Sequence, residues 1–185
     1  MCDSDWLPTL ILFEDCCGDW PQYLSILYEQ FKKDFVFSKP SFPLGRIELK
    51  KYPIVEDKEA TFWHFISEGD IETQRIPDFR RCERIAWPKP IIEAFNTGKV
   101  VWWENTRQTK RGPQESLIIA LENFNYWIVL RKRENYFIPW TAYYPSQDHQ
   151  RRKMQKEYEV WLIKKSAGAA LPKENGPDTP STHGR

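Results

Sequence analysis

One histidine and four arginines lie close together in the middle of this sequence. His64 sits in the aromatic run Phe62-Trp63-His64-Phe65, and Arg75, Arg80, Arg81 and Arg84 follow within twenty residues. An imidazole exchanges protons near neutral pH, and guanidinium groups hold a phosphate by fixed, forked charge. The set therefore suits work on a phosphodiester. Further on, Thr141-Ala142-Tyr143-Tyr144 offers hydroxyls that can donate to a phosphate or orient a ring. The same residue types also have structural uses. A histidine in an apolar run can be a satisfied core residue, and Arg75 or Arg84 can pair with Asp78, Glu83 or Glu72.

The elements that must position these groups follow from periodicity and punctuation. From Asp19, the residues Trp20, Tyr23, Leu24, Leu27, Tyr28 and Phe31 recur at helical spacing, with Asp19 as N-cap and Pro21 in the first turn. Residues 38–57 read as loop around a short strand, Arg46 to Lys50. Thr61 to Ile66 reads as a strand, with Phe62 and His64 on one face and Trp63 and Phe65 on the other. Arg80 to Phe95 is helical at its ends, with Trp87-Pro88-Lys89-Pro90 delaying the second helix until Ile91. A strand at Lys99 to Glu104 precedes a polar loop, Asn105 to Gln114. Ser116 to Leu121, Tyr126 to Arg131 and Tyr136 to Tyr144 then form an antiparallel meander. Asp148 to Lys165 is a basic helix with Met154, Tyr158, Trp161 and Leu162 on one face. The segment 166–185 is polar and rich in Gly and Pro, which predicts a disordered tail beyond one domain of residues 1–165.

The net charge of +1 hides a strong segregation. Residues 1–34 carry two basic and seven acidic side chains, whereas residues 75–111 and 131–165 each carry nine basic and four acidic ones. Both basic segments contain Trp, and the second also contains Tyr, a combination that suits a nucleic-acid surface. Candidate contacts are Arg107, Lys110 and Arg111 in the polar loop, Trp103 beside it, and Arg151 on the last helix. The cysteines Cys2, Cys16, Cys17 and Cys82 form no C-x-x-C pair, so neither a zinc site nor a disulfide framework is expected, and a reduced cytoplasmic setting is. No run reaches the roughly 18 apolar residues that a membrane span requires. No metal or cofactor is called for.

In order and spacing, four segments resemble a known group of proteins: KEATFWHFISEG, RIPDFRRCERIAWPKPIIE, WIVLRKRENYFIPWTAYYP and HQRRKMQKEYE. Together they are similar to the phage and mobile-element nucleases of the barnase, EndoU, colicin and RelE superfamily, over about residues 19–160. The resemblance implies an α+β fold, with an N-terminal helical part on an antiparallel sheet of about four strands and a C-terminal helix. It also implies metal-independent endoribonuclease activity of the toxin or effector type, with an antitoxin or immunity protein as neutralising partner. His64 would be the proton carrier. Arg84, with Arg80 or Arg81, would hold the nonbridging oxygens, and Thr141 with Tyr143 or Tyr144 would position the phosphate. RNA supplies its own 2′-OH nucleophile, so proton transfer and charge stabilisation suffice to form a cyclic phosphate. A second acid or base stays open among Tyr144, Glu68 and Lys58, because His149 falls at a helix start and His183 in the tail. A catalytically inactive RNA-binding domain of the same fold is the alternative.

Overall fold

The computed structural model describes residues 5–109 and 112–169. Helical segments come first, a mixed five-stranded sheet follows, and a long helix closes the described chain, which makes the fold α+β. Helix α1, Trp20–Phe31, starts where its residues require. The Asp19 side chain accepts from the Gln22 backbone N–H at 3.0 Å, and Pro21 occupies the first turn. Its buried stripe is Tyr23, Leu24, Leu27 and Phe31. A π-helical turn, Lys32–Phe37, continues it.

Strand β1 is only Arg46–Ile47, shorter than the sequence suggests. Beyond it the backbone turns to another partner: the Lys50 N–H donates to Thr61 Oγ1 at 2.8 Å, and the N–H groups of Ala60 and Thr61 donate to Lys51 and Lys50 carbonyls. Residues Thr61 to Ile66, expected as a strand, belong instead to helix α2, Ala60–Ile66, all seven residues of which are buried. A short apolar run enclosed on every side carries no period that separates strand from helix. The two-faced alternation expected around His64 therefore does not exist.

After α2, strands β2 (Ser67–Glu68) and β3 (Ile76–Pro77) form a small antiparallel hairpin whose connection contains a 3-10 turn, Glu72–Gln74. Helix α3, Phe79–Cys82, is capped by Asp78, whose carboxylate accepts from the Arg80 and Arg81 N–H groups. Helix α4, Pro88–Glu93, begins on the proline itself rather than at Ile91. Proline is tolerated there because a first-turn N–H has no intrahelical partner to lose.

The main sheet runs β1-β7-β6-β5-β4, built from β4 (Val100–Thr109), β5 (Gly112–Leu121), β6 (Trp127–Lys132) and β7 (Tyr136–Tyr143). The meander is antiparallel, and β1 adds to β7 in parallel. The expected polar loop from Asn105 to Gln114 is mostly strand, since Asn105 pairs with Ser116 and Thr109 with Gly112. Polarity misleads there because both ends of the hairpin run past the core. Lys110 and Arg111 lie outside the described residues.

Each sheet face has its own core. Leu117, Ile119, Leu121, Ile128, Leu130 and Ala142 pack with the N-terminal helices, while Trp103, Ile118, Ala120 and Trp127 pack under Met154 of helix α5, Asp148–Ala169. A β-bulge interrupts the β6/β7 ladder, where Val129 pairs with Thr141 but Leu130 pairs with Pro139. Trp140 is the extra residue.

Candidate functional site

Helix α2 presents His64 to the bulge in β7. The ring lies 2.9 Å by Nδ1 from the Trp140 carbonyl, and Nε2 lies 2.7 Å from Glu72 Oε2. A carbonyl only accepts, so Nδ1 carries a proton and donates. The second contact joins two groups that are both acceptors when the ring is neutral, and so one proton must be held between His64 and Glu72. Two opposing influences act on it. Burial lowers the His64 pKa below its ordinary 6.5, against the hydrogen bond that Glu72 accepts, which raises it. Burial also opposes ionisation of Glu72, but hydrogen bonds from Lys50 and His64 outweigh that and hold its carboxyl below the usual value. Lys50 Nζ forms an ion pair with the other Glu72 oxygen. The residue that meets solvent is Glu72, because its side chain is 30% exposed whereas that of His64 is 3%.

A pocket of about 380 Å³ opens beside this pair and is lined by His64, Glu72, Arg75, Arg81, Arg131, Thr141 and Tyr143, among others. Five parts of the chain converge there: α2, the β2/β3 hairpin, α3, β6 and β7. Thr141 Oγ1 stands 3.4 Å from the His64 carbonyl, linking β7 to α2. Arg81 is buried; it donates from Nη1 to the Ser67 carbonyl at 2.8 Å, and its guanidinium lies 4.6 Å from the Tyr143 ring centre. Its Nε is 3.2 Å from Asp78 Oδ2 yet lacks hydrogen-bond geometry, so the pairing is electrostatic and leaves that N–H unsatisfied. Arg75 is committed to the backbone: Nη1 donates to Gly69 O and Nη2 to Ser67 O, while Nε donates to Ser67 Oγ. It pins the β2/β3 hairpin that carries Glu72.

No family model, curated protein or solved structure matches this chain. The reading of the site accordingly rests on its own geometry.

Not every residue singled out from the sequence reaches this pocket. Arg84 is buried elsewhere: it lies 4.1 Å from the Tyr144 ring centre and 5.1 Å from that of Trp87, and it pairs with Glu83 at 2.8 Å. Tyr144 therefore leaves the site with it. Arg80 is exposed on α3 and faces Glu83 at 3.8 Å. Trp103 is fully buried, with Nε1–H donated to Glu157 at 2.8 Å, and no face is left for a base. Arg151 donates to Asp148 and Asn125. Lys58 donates to the Glu56 carbonyl and sits over the Tyr28 ring. Arg107 lines a second, larger cleft together with His149. In sequence Glu72 reads only as an arginine partner; its one further signal is a carboxylate eight residues after the histidine. Among the described residues, no group of three or more His, Cys, Asp or Glu side chains could hold a metal ion, and no helix is long and apolar enough to cross a membrane.

Proposed function

We propose that this protein is an endoribonuclease that cuts RNA by attack of the 2′-OH on its own phosphodiester, leaving a 2′,3′-cyclic phosphate. The observation that supports this most is the convergence of His64, Arg81, Thr141 and Tyr143 in one pocket. Glu72 and His64 act as a pair. The pair acts once its shared proton has been released. Glu72, the cleft-facing member, takes the 2′-OH proton, and His64 Nε2 behind it shares that proton while Nδ1–H stays on the Trp140 carbonyl. The proton then passes to the 5′-oxygen as its bond to phosphorus breaks. Arg81 and Arg131 supply positive potential where charge develops on the phosphorane. The hydroxyls of Thr141 and Tyr143 donate to phosphate oxygens. Arg81 takes the role that the sequence assigned first to Arg84.

The test is to incubate wild type, His64→Ala, Arg81→Ala and Arg84→Ala with total RNA in EDTA and to map the product ends. Cyclic phosphate ends made by wild type and by Arg84→Ala, but not by the other two variants, are the expected result. Unchanged cleavage by His64→Ala would reject the assignment.

A second reading has its own observation. His64 is 2% exposed and both ring nitrogens are engaged, as in a structural histidine. On that reading the protein holds RNA without cutting it, and wild type would retain RNA with no product after long incubation.

A further inference from the structure

Along β4, β5 and β6, the face covered by α5 changes character part-way. Trp103, Ile118 and Trp127 are buried beneath the helix, but the next same-face positions are Asn105 and Arg107 on β4, Ser116 and Gln114 on β5, and, one step beyond Val129, Arg131 on β6. The sheet therefore continues past its cover as a polar floor. His149, Gln150 and Lys153 of α5 form the wall above it, enclosing a cleft of about 640 Å³. No carboxylate lines this cleft among the described residues, while Arg107, Arg131 and Lys153 do. None of those three cations has an ion pair among the described residues.

Arg131 matters most. Burial lowers its pKa to about 10, and its guanidinium lies 3.1 Å from the Trp140 ring centre. Glu72 acts on Arg131 only from beyond ion-pair distance, and a half-buried cation with no carboxylate in direct contact bears a desolvation cost that an arriving anion offsets. Arg131 also lines the smaller His64 pocket, as do Trp140, Thr141 and Tyr143, so the two spaces adjoin.

We propose that the cleft under α5 is a strand-binding subsite that holds the RNA phosphates next to the one being cut, with Arg131 at the junction and Arg107 and Lys153 along the path. This rests on the cleavage reading for the identity of the strand. Recognition is by charge and is tolerant of base sequence: Lys50 and Arg131 lie over the Trp140 ring, and Arg81 and Trp127 lie against that of Tyr143, so these rings are already engaged.

The experiment uses the full chain, EDTA and non-cleavable 2′-O-methyl oligoribonucleotides of two and six residues, read by fluorescence anisotropy. Wild type should bind the hexamer at least about tenfold more tightly than the dimer, since several phosphate contacts act together. Arg131→Gln and the double variant Arg107→Gln/Lys153→Gln should lose that gain, each lost phosphate contact reducing the salt slope by about 0.7. A peptide nucleic acid hexamer, which has no phosphates, should not bind. Equal affinity for dimer and hexamer, or a hexamer affinity unchanged in folded Arg131→Gln and double variants, overturns the subsite even if wild type cuts RNA. Length-dependent binding that persists when natural RNA is left uncut upholds the subsite and rejects cleavage alone. Circular dichroism melts establish that each variant is folded.

Discussion

Replacing Glu72 by glutamine tests the His64 arrangement with little change in volume. In the wild type Glu72 shares one proton with His64 Nε2 across 2.7 Å, and Nδ1–H is committed to the Trp140 carbonyl. A glutamine amide at the same place donates N–H to a neutral Nε2, which favours the uncharged ring. The substitution removes the raising influence of Glu72 and leaves burial, together with Arg75 and Lys50, to lower the His64 pKa further. A hydrogen bond to a charged group contributes about 1.5–3 kcal/mol and a neutral one about 0.5–1.5, so the exchange costs about 1 kcal/mol where the pair holds its proton. The sign with pH follows from the lowered folded-state value. The unfolded chain binds a proton near the ordinary 6.5 before the folded one does, so stability is fully present above that value and declines as pH falls towards the folded-state pKa. In Glu72→Gln the decline continues to lower pH. Two-dimensional NMR of the imidazole Cε1–H and urea unfolding across pH 4 to 8 measure both effects. A wild-type His64 resonance that titrates at or above its ordinary value, or one that does not move in Glu72→Gln, would refute the reasoning.

Three other outcomes are expected. Arg81→Ala should reduce RNA cleavage by about 10²–10³-fold, as loss of a preorganised electrostatic donor does, with a change in kcat larger than in KM. Arg84→Ala should leave cleavage per folded molecule intact while lowering the urea midpoint, because a buried guanidinium stacked between Trp87 and Tyr144 is removed and Glu83 loses a partner; a cleavage defect without a stability defect would contradict its placement. Trp103→Phe should cost about 1–3 kcal/mol in urea unfolding by leaving Glu157 with Asn105 as its remaining donor, and should not alter RNA binding.

How far the sequence can be read depends on the kind of signal. Helix α1 was legible because Asp19, Pro21 and a 3.6-residue stripe agree, and the meander was legible from β-branched and aromatic runs between short polar turns. The α2 segment was not, because its buried residues leave no polar face from which to count. That error cost the local geometry of His64 but not its place in the chain. Among the arginines, the sequence treated Arg80, Arg81 and Arg84 as a group. Only the short α3 helix and the turn after it separate them, sending Arg81 towards Tyr143 and Arg84 towards Tyr144. Tyr143 is the last residue of β7 and Tyr144 follows it; the two rings pack with the cores of opposite sheet faces, so each meets a different arginine. Arg131 could have been found by counting two residues at a time from Trp127 through Val129. In sequence it is hidden as one of three consecutive basic residues, Arg131-Lys132-Arg133.

The bulge at Trp140 carries a consequence for how such a protein can change over generations. Alternation counted from Phe137, which packs with the helix-side core, would put Thr141 and Tyr143 on that same side if β7 were regular; the extra residue reverses them onto the face that lines both clefts, and turns Ala142 inward. Loss of the Trp140 codon would join Pro139 to Thr141, whose partners Leu130 and Val129 are already neighbours, so the ladder would close with Thr141 and Tyr143 still facing the clefts and Ala142 still inward. What would go is the carbonyl opposite His64 Nδ1 and the ring beneath Arg131. The bulge is thus a place where one residue can be gained or lost without disturbing the side-chain directions on either side of it.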